Sequence, residues 1–171
     1  GFYSSTKLSS EMLIERYSKK FDLKYNILRF GSIYGTNSNN FNTIKNLITQ
    51  GIRENRITRY TRGDEIRNYI NVEDASKICA EILKKKYDNK YFDLLGKKKL
   101  KMKEVIKIIS NELKIKKIKF IDNKKDENHY LVNPYTYKLR KGINFRLHDQ
   151  IDFLTGIKKI IKEIKSKKNN V

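Results

Sequence analysis

Tyr3 and Lys7 are the residues of this chain whose types and spacing could do chemistry together. Four positions apart on a helix, a phenol and an ammonium share a face. A lysine held beside a tyrosine favours the phenolate, so a group that ionises near pH ~10 in water becomes a general base at neutrality. Spacing alone does not single the pair out. Tyr137 and Lys141 repeat it, and roughly two such pairs are expected by chance at this tyrosine and lysine content. The weight on Tyr3 depends on the elements that follow it.

Leu8 and Met12, then Leu13, Tyr17 and Phe21, recur at helical spacing, with Glu15 four residues before Lys19 as an exposed pair, so the first twenty residues are expected to form one amphipathic helix. Residues 25–30 are a short β-prone run stopped by Gly31, and Ser32, Ile33, Tyr34 and Gly35 are expected to form a glycine-punctuated loop behind it. In open α/β sheets ligands sit at the carboxyl ends of strands, so this loop is where a cofactor or substrate would be met. Ile44, Leu47, Ile48 and Ile52 mark a second helix. Strands are expected over 57–60 and 66–71, the latter carrying Arg67, and a helix over 72–86 burying Ala75, Ile78, Cys79, Ile82 and Leu83. Residues 91–95 form a strand closed by Gly96. Met102, Ile106, Ile109 and Leu113 stripe another helix, residues 118–121 a strand, 122–128 a polar loop and 139–142 a short helical turn. Ile151, Leu154, Ile157, Ile161 and Ile164 line a last helix before a frayed tail. The pattern is mixed α/β without a complete βαβ series.

At 171 residues the chain is of single-domain size, but it opens on Gly rather than Met and directly on the candidate motif, which reads as an excerpt of a longer protein. The net charge of +20 would fit nucleic acid or an anionic membrane. Lysine, isoleucine and asparagine are abundant throughout, however, and compositional drift accounts for the charge more simply; no specific nucleic-acid partner and no membrane partner are expected. The single cysteine, Cys79, excludes an internal disulfide and any multi-cysteine zinc site. His129 and His148 lack companions at ligand spacing, so no metal is expected. No apolar run approaches the ~20 residues that span a bilayer, nothing resembles a signal peptide, and cytoplasm is the default location.

Three ordered segments resemble one family: residues 3–7 ahead of the helix; Leu28-Arg29-Phe30-Gly31-Ser32-Ile33-Tyr34-Gly35; and Gly63-Asp64-Glu65-Ile66-Arg67-Asn68-Tyr69-Ile70-Asn71-Val72-Glu73-Asp74. Together they look like the NAD-dependent epimerase/dehydratase family, the extended short-chain dehydrogenases that act on nucleotide sugars. Residues 91–96 and 155–157 fit the same scheme, and the ordered set selects Tyr3 over Tyr137. The resemblance implies the back part of such an enzyme. Its α/β fold would be the remainder of a Rossmann-like doubly wound sheet, residues 1–35 and 72–96, plus a smaller mixed α/β substrate-binding domain, residues 36–71 and 97–171. No G-x-x-G-x-x-G occurs here, so the loop that grips the dinucleotide pyrophosphate would lie upstream, with the serine or threonine that completes the catalytic set, and the chain alone would be inactive or nearly so.

The resemblance further implies that Tyr3 takes the substrate hydroxyl proton and that Lys7 assists it while binding the nicotinamide ribose. Phe30, Gly31, Ser32 and Ile33 would line the nicotinamide of NAD, with NADP also compatible. Arg67 would reach a phosphate of the nucleoside diphosphate, a task suited to a guanidinium fork; a surface pairing with Glu65 or Asp74 is the plainer alternative. Asn40 lies where a substrate-contacting amide is common, though an asparagine at a turn is equally ordinary. Residues 123–126 carry lysines where a second phosphate-binding arginine is usual, and Asn133 stands where an aspartate is common. The leading expectation is a nucleotide-sugar epimerase working through a keto-sugar intermediate. Alternatives are a 4,6-dehydratase or reductase of the same family, a non-catalytic binding or assembly module, and, on charge alone, a nucleic-acid binder. As the full-length protein a homodimer packed through the first helix is expected.

Overall fold

The computed structural model describes residues 2–122 and 140–169. The expectations placed on residues 123–128, His129, Asn133, Tyr137 and Leu139 lie outside the described residues. Helix α1, Phe2–Phe21, ends where Asp22 turns to positive φ and the Leu23 N–H bonds back to the Ser18 carbonyl. Strand β1, Asn26–Phe30, then runs parallel to β5, Lys90–Leu94, in a register that sets Asn26 opposite Lys90 and Phe30 opposite Leu94. A short β8, Ile143–Asn144, extends this first sheet beyond β5.

A second sheet has the order β2-β4-β6, with β2 Ser32–Tyr34, β4 Ile66–Asn71 and β6 Lys99–Lys101. β2 lies parallel to β4 and β6 antiparallel to it. The segment expected as a loop after Gly31 is therefore largely a strand, because β4 offers it a pairing edge. β3, Arg56–Arg59, and β7, Lys117–Phe120, make a separate parallel pair. Glycine is required where the first two sheets meet. A Cβ on Gly31 would stand 2.5 Å from the Asn68 carbonyl oxygen, and one on Gly96 would stand 1.7 Å from that of Tyr69. The Gly96 N–H also donates to the Asn68 side-chain oxygen at 2.6 Å.

Among the described residues, the four α-helices after α1 begin where side chains satisfy free N–H groups. Asn42 caps α2, Thr43–Glu54, by accepting from the Ile44 and Lys45 N–H groups. Asn71 caps α3, Val72–Ile82, whose first turn carries Glu73 and Asp74 at the positive end of the helix dipole. Asp74 is buried, and one of its oxygens accepts from the Ile151 N–H at 2.9 Å, tying the lead-in of the last helix to α3. Glu104 reaches back to the Lys101 N–H at the start of α4, Met102–Leu113. Asp152 receives the Thr155 N–H and hydroxyl in the first turn of α5, Phe153–Asn169.

Two apolar clusters follow from these placements. The larger joins α2, α4 and α5 over β3 and β4, around Ile48, Ile57, Ile106, Ile109 and Ile157, all fully buried. Each such side chain contributes about 1.5–3 kcal/mol of burial. The smaller packs Ile78 and Ile82 of α3 on Phe92 and Leu94. Two expectations are corrected here. α3 stops at Ile82, leaving Leu83 exposed and Lys85–Tyr87 as a separate 3-10 turn. Residues 140–142 are not helical. The first helix forms as expected, with its apolar stripe at the surface: Phe2, Met12, Leu13, Tyr17 and Phe21 are all exposed, and Ser4 is the helix's one buried side chain.

Candidate functional site

What α1 turns toward the sheet is a polar ridge. Tyr3, Lys7, Glu11 and Glu15 follow one another at four-residue intervals and so lie along one side of the helix. Lys7 Nζ sits 5.4 Å from the centre of the Tyr3 ring, a distance at which an ammonium is attracted to an aromatic face. Glu11 is held by Arg29 of β1 in a two-pronged contact, Nε to Oε1 at 2.8 Å and Nη2 to Oε2 at 2.7 Å. The third arm of the fork, Nη1, donates to the Arg140 carbonyl at 2.7 Å and stands 3.8 Å from Asp93. Glu15, expected to pair with Lys19 at the surface, instead accepts from the Tyr91 hydroxyl and meets Arg140 at 2.5 Å. Both guanidinium groups lie over the Tyr91 ring, at 5.0 and 5.7 Å from its centre. The first helix is thus moored to the first sheet by charge.

These contacts fix the protonation of the mooring. The hydrogen bond to Glu11 raises the already high Arg29 value further. Burial, then the hydrogen bond donated to Glu15, pushes the Tyr91 phenol well above its ordinary value. Burial likewise raises Tyr34, against the opposing hydrogen bond from Asn71, and pushes Tyr69 up to about 12. Tyr34, Tyr69 and Tyr91 are therefore neutral phenols at physiological pH. Tyr3 differs from them in position: it is exposed at 73% and has an ammonium beside it.

Tyr3, Lys7, Glu11, Arg29 and Phe30 line a cleft of about 920 Å³ between α1 and the length of β1. Its size is that of a site for a cofactor or a drug-sized ligand. A smaller hollow of about 230 Å³ opens between β2, β4 and the start of α2, and brings Ser32, Ile33 and Arg67 together with Arg59, Glu65 and Tyr69. Here Arg59 Nη2 and the Thr61 hydroxyl both bond Glu65 Oε1, at 2.9 and 2.7 Å. Burial alone would raise the Glu65 carboxyl, but the hydrogen bonds from Thr61, the backbone and Arg59 hold it below its ordinary value. Glu65 is engaged by Arg59 and Thr61, and an Asp74 oxygen by the Ile151 N–H. Arg67 Nη1 donates to the Ile66 carbonyl.

The residues singled out in the sequence thus fall into two groups. Tyr3, Lys7 and Phe30 share the cleft, while Ser32, Ile33 and Arg67 share the hollow, and Gly31 stands between them at the junction of the sheets. Asn40 is exposed in the turn ahead of α2. Its neighbours do the local work there: Asn39 accepts from the Phe41 N–H and Asn42 caps the helix. Sequence reasoning missed the Glu11–Arg29 and Glu15–Tyr91–Arg140 contacts. The four-residue spacing of Glu11 and Glu15 behind Lys7 was the available signal, but their partners lie at 29, 91 and 140 in the chain.

A parallel strand pair packed with helices, with the tyrosine–lysine helix alongside β1, defines the class as a Rossmann-like α/β fold. The sequence pattern of the NAD dependent epimerase/dehydratase family matches residues 1–94, more than half of the chain, and the chain belongs to that family. It is 26% identical over 142 residues to the Arabidopsis thaliana trifunctional UDP-glucose 4,6-dehydratase/UDP-4-keto-6-deoxy-D-glucose 3,5-epimerase/UDP-4-keto-L-rhamnose-reductase, a match that takes in 80% of this chain and 21% of that protein. Among solved structures, the dTDP-glucose 4,6-dehydratase of Bacillus anthracis in complex with NAD aligns with a TM-score of 0.78 at 18% identity, over 99% of this chain and 53% of that one. The UDP-glucose 4-epimerase of Thermotoga maritima with UDP-glucose aligns with a TM-score of 0.73 at 17% identity, over 94% of this chain and 52% of that one. The chain spans about half the length of these solved structures and about a fifth of the plant enzyme. No helix among the described residues is long and apolar enough to cross a membrane.

Proposed function

We propose that this chain is the back part of an NAD-dependent nucleotide-sugar epimerase in which Tyr3 accepts the proton of a sugar hydroxyl. The observation that carries the reading is the Tyr3–Lys7 pair, 5.4 Å from ammonium to ring centre, facing a cleft that Phe30 also lines, in a member of this family. The cleft offers groups of the kind that the nicotinamide and ribose end of the dinucleotide needs, an ammonium for ribose hydroxyls and an apolar wall at Phe30, while Gly31 stands at its border and Ser32 and Ile33 line the neighbouring hollow. The grip on the pyrophosphate belongs to residues outside this chain. When bound, NAD supplies the acceptor for the hydride that leaves the sugar carbon.

The chain's own residues do the rest. Lys7 holds positive charge against the phenol, so that the Tyr3 oxygen can take the hydroxyl proton as the carbon is oxidised to a keto sugar, and return it when reduction from the other face gives the epimer. Arg67 faces the diphosphate from β4, and residues 36–71 with 97–171 hold the sugar nucleotide while 1–35 and 72–96 complete the cofactor domain. The open edge of β1 and the apolar side of α1 receive the remaining strands of that domain and a second copy of the protein. A 4,6-dehydratase is the second reading, favoured by the resemblance to the plant and B. anthracis enzymes; Tyr3 and Lys7 serve both reactions alike, and the product separates them, since an epimerase leaves the 6-hydroxyl in place.

In the intact enzyme, Tyr3→Phe is expected to lower turnover by about 10²–10⁴-fold, the usual yield of a positioned acid–base group. Nucleotide-sugar affinity, measured by calorimetry, is expected to stay within a factor of about 3. Wild-type turnover in that variant overturns the reading.

A further inference from the structure

Beyond Tyr3 and Lys7, the ridge on α1 poses a problem that β1 solves. Glu11 lies one helical turn past Lys7, as Lys7 lies one turn past Tyr3, so the ammonium has a phenol on one side and a carboxylate on the other at the same spacing. A lysine side chain is long and flexible, and a free carboxylate would draw it down the helix. We propose that Arg29 is a positioning residue for the Tyr3–Lys7 pair: by occupying both oxygens of Glu11 it keeps the nearest carboxylate from competing for Lys7 and so directs the ammonium to the phenol. The inference rests on the reading of Tyr3 as the proton acceptor.

The geometry supports it on each side of the cleft. Both Glu11 oxygens are engaged, at 2.8 and 2.7 Å. Glu15, the next carboxylate on the ridge, is engaged by Arg140 and Tyr91. Asp93, the carboxylate that β5 presents to the same cleft, stands 3.8 Å from Arg29 Nη1. Lys141 lines the far wall and carries charge of the same sign as Lys7. Arg29 thus meets both carboxylates that line this cleft among the described residues, Glu11 and Asp93, and its planar fork is what lets one cation hold two oxygens while a third arm bonds the Arg140 carbonyl. A lysine at position 29 has charge but no fork.

The test uses the 171-residue chain labelled with ¹³C at the tyrosine ring carbon bearing the hydroxyl, the Tyr3 signal being identified by its loss in Tyr3→Phe. Titration by NMR compares wild type with Arg29→Met, Glu11→Gln and the double variant. Both single changes break the same bridge, but only Arg29→Met leaves a carboxylate one turn from Lys7. The Tyr3 midpoint is expected to rise in Arg29→Met by roughly 0.3 pH unit, the size of one exposed ion pair at this spacing. It is expected to stay at or below the wild-type position in Glu11→Gln and in the double variant. Arg29→Lys, which keeps the charge and the bulk of the side chain, is expected to give a smaller rise and covers the case in which Arg29→Met does not fold. An unmoved midpoint in both Arg29 variants, or an equal rise in Arg29→Met and Glu11→Gln, overturns the inference and leaves Arg29 as a mooring alone. Wild-type turnover in Tyr3→Phe would instead overturn the proton-acceptor reading, and the titration would remain interpretable as charge placement.

Discussion

Replacing Gly96 with alanine puts a methyl carbon 1.7 Å from the Tyr69 carbonyl oxygen and 2.8 Å from its carbon. Cβ atoms essentially never come within 3.0 Å of a neighbour, so the chain after β5 must retreat from β4 by about 1.3 Å. The obstacle is backbone inside a paired strand, which cannot swing aside as a side-chain tip can. The retreat also stretches the 2.6 Å bond from the Gly96 N–H to Asn68. Overpacking of this kind costs roughly 1–3 kcal/mol and the weakened hydrogen bond about 1 kcal/mol more, for a total near 3 kcal/mol. Against a domain stability of about 5–15 kcal/mol that is a large fraction. In urea unfolding followed by circular dichroism, with a slope near 2 kcal/mol per molar, the midpoint is expected to fall by roughly 1.5 M. Gly96→Ala within 0.5 kcal/mol of wild type would refute the argument that the close crossing of β4 dictates glycine there.

Glu65 links stability to pH. Its carboxyl is held below the ordinary value of 4.5, so its contribution is fully present above that pH and is lost as pH falls through the depressed folded value. Glu65→Gln is expected to destabilise the chain by about 1–3 kcal/mol at pH 7, and the gap in melting temperature between wild type and variant should shrink as pH is lowered below 4; a gap that widens refutes it. At the other end of the same hollow, Asn42→Ala removes both the cap of α2 and the bond to the Ile33 carbonyl. A loss of about 1 kcal/mol is expected, with faster amide exchange at Ile44 and Lys45, and unchanged exchange there would show that another group caps the helix.

Much of the architecture was legible because its signals are local. β4 falls on residues 66–71 as expected, and α2 and α4 follow their apolar spacing with capping side chains at the start. What was not legible depends on distant partners. β6 and β8 are three and two residues long, lysine-bearing or polar, and are strands only because β4 and β5 offer them an edge. The same holds for β2, whose flanking glycines suggest a loop until β4 is beside it. α3 was overrun because the lysines at 84–86 suit a helix end as well as an exposed turn. For the candidate site, spacing alone left Tyr3 and Lys7 level with Tyr137 and Lys141, and the order of the motifs is what picked out the first pair together with Gly31 and Arg67. That Ser32 and Ile33 meet Arg67, whereas Tyr3 and Lys7 face a different space, is set by the β2–β4 register and could not be found from either.

The inverted dressing of α1 bears on how this sequence can change over generations. On most of the surface an arginine and a lysine are exchangeable, and a lineage drifting toward lysine codons meets little resistance. On the inner ridge a change at 11 without one at 29 leaves a largely buried guanidinium without its two-pronged partner, so these two positions constrain each other. The outer side, with Phe2, Leu13, Tyr17 and Phe21 exposed, is not held in this way by the rest of the described chain. One helix therefore carries two kinds of constraint, an inner side bound by matched charges within the chain and an outer apolar side that the fold described here does not fix.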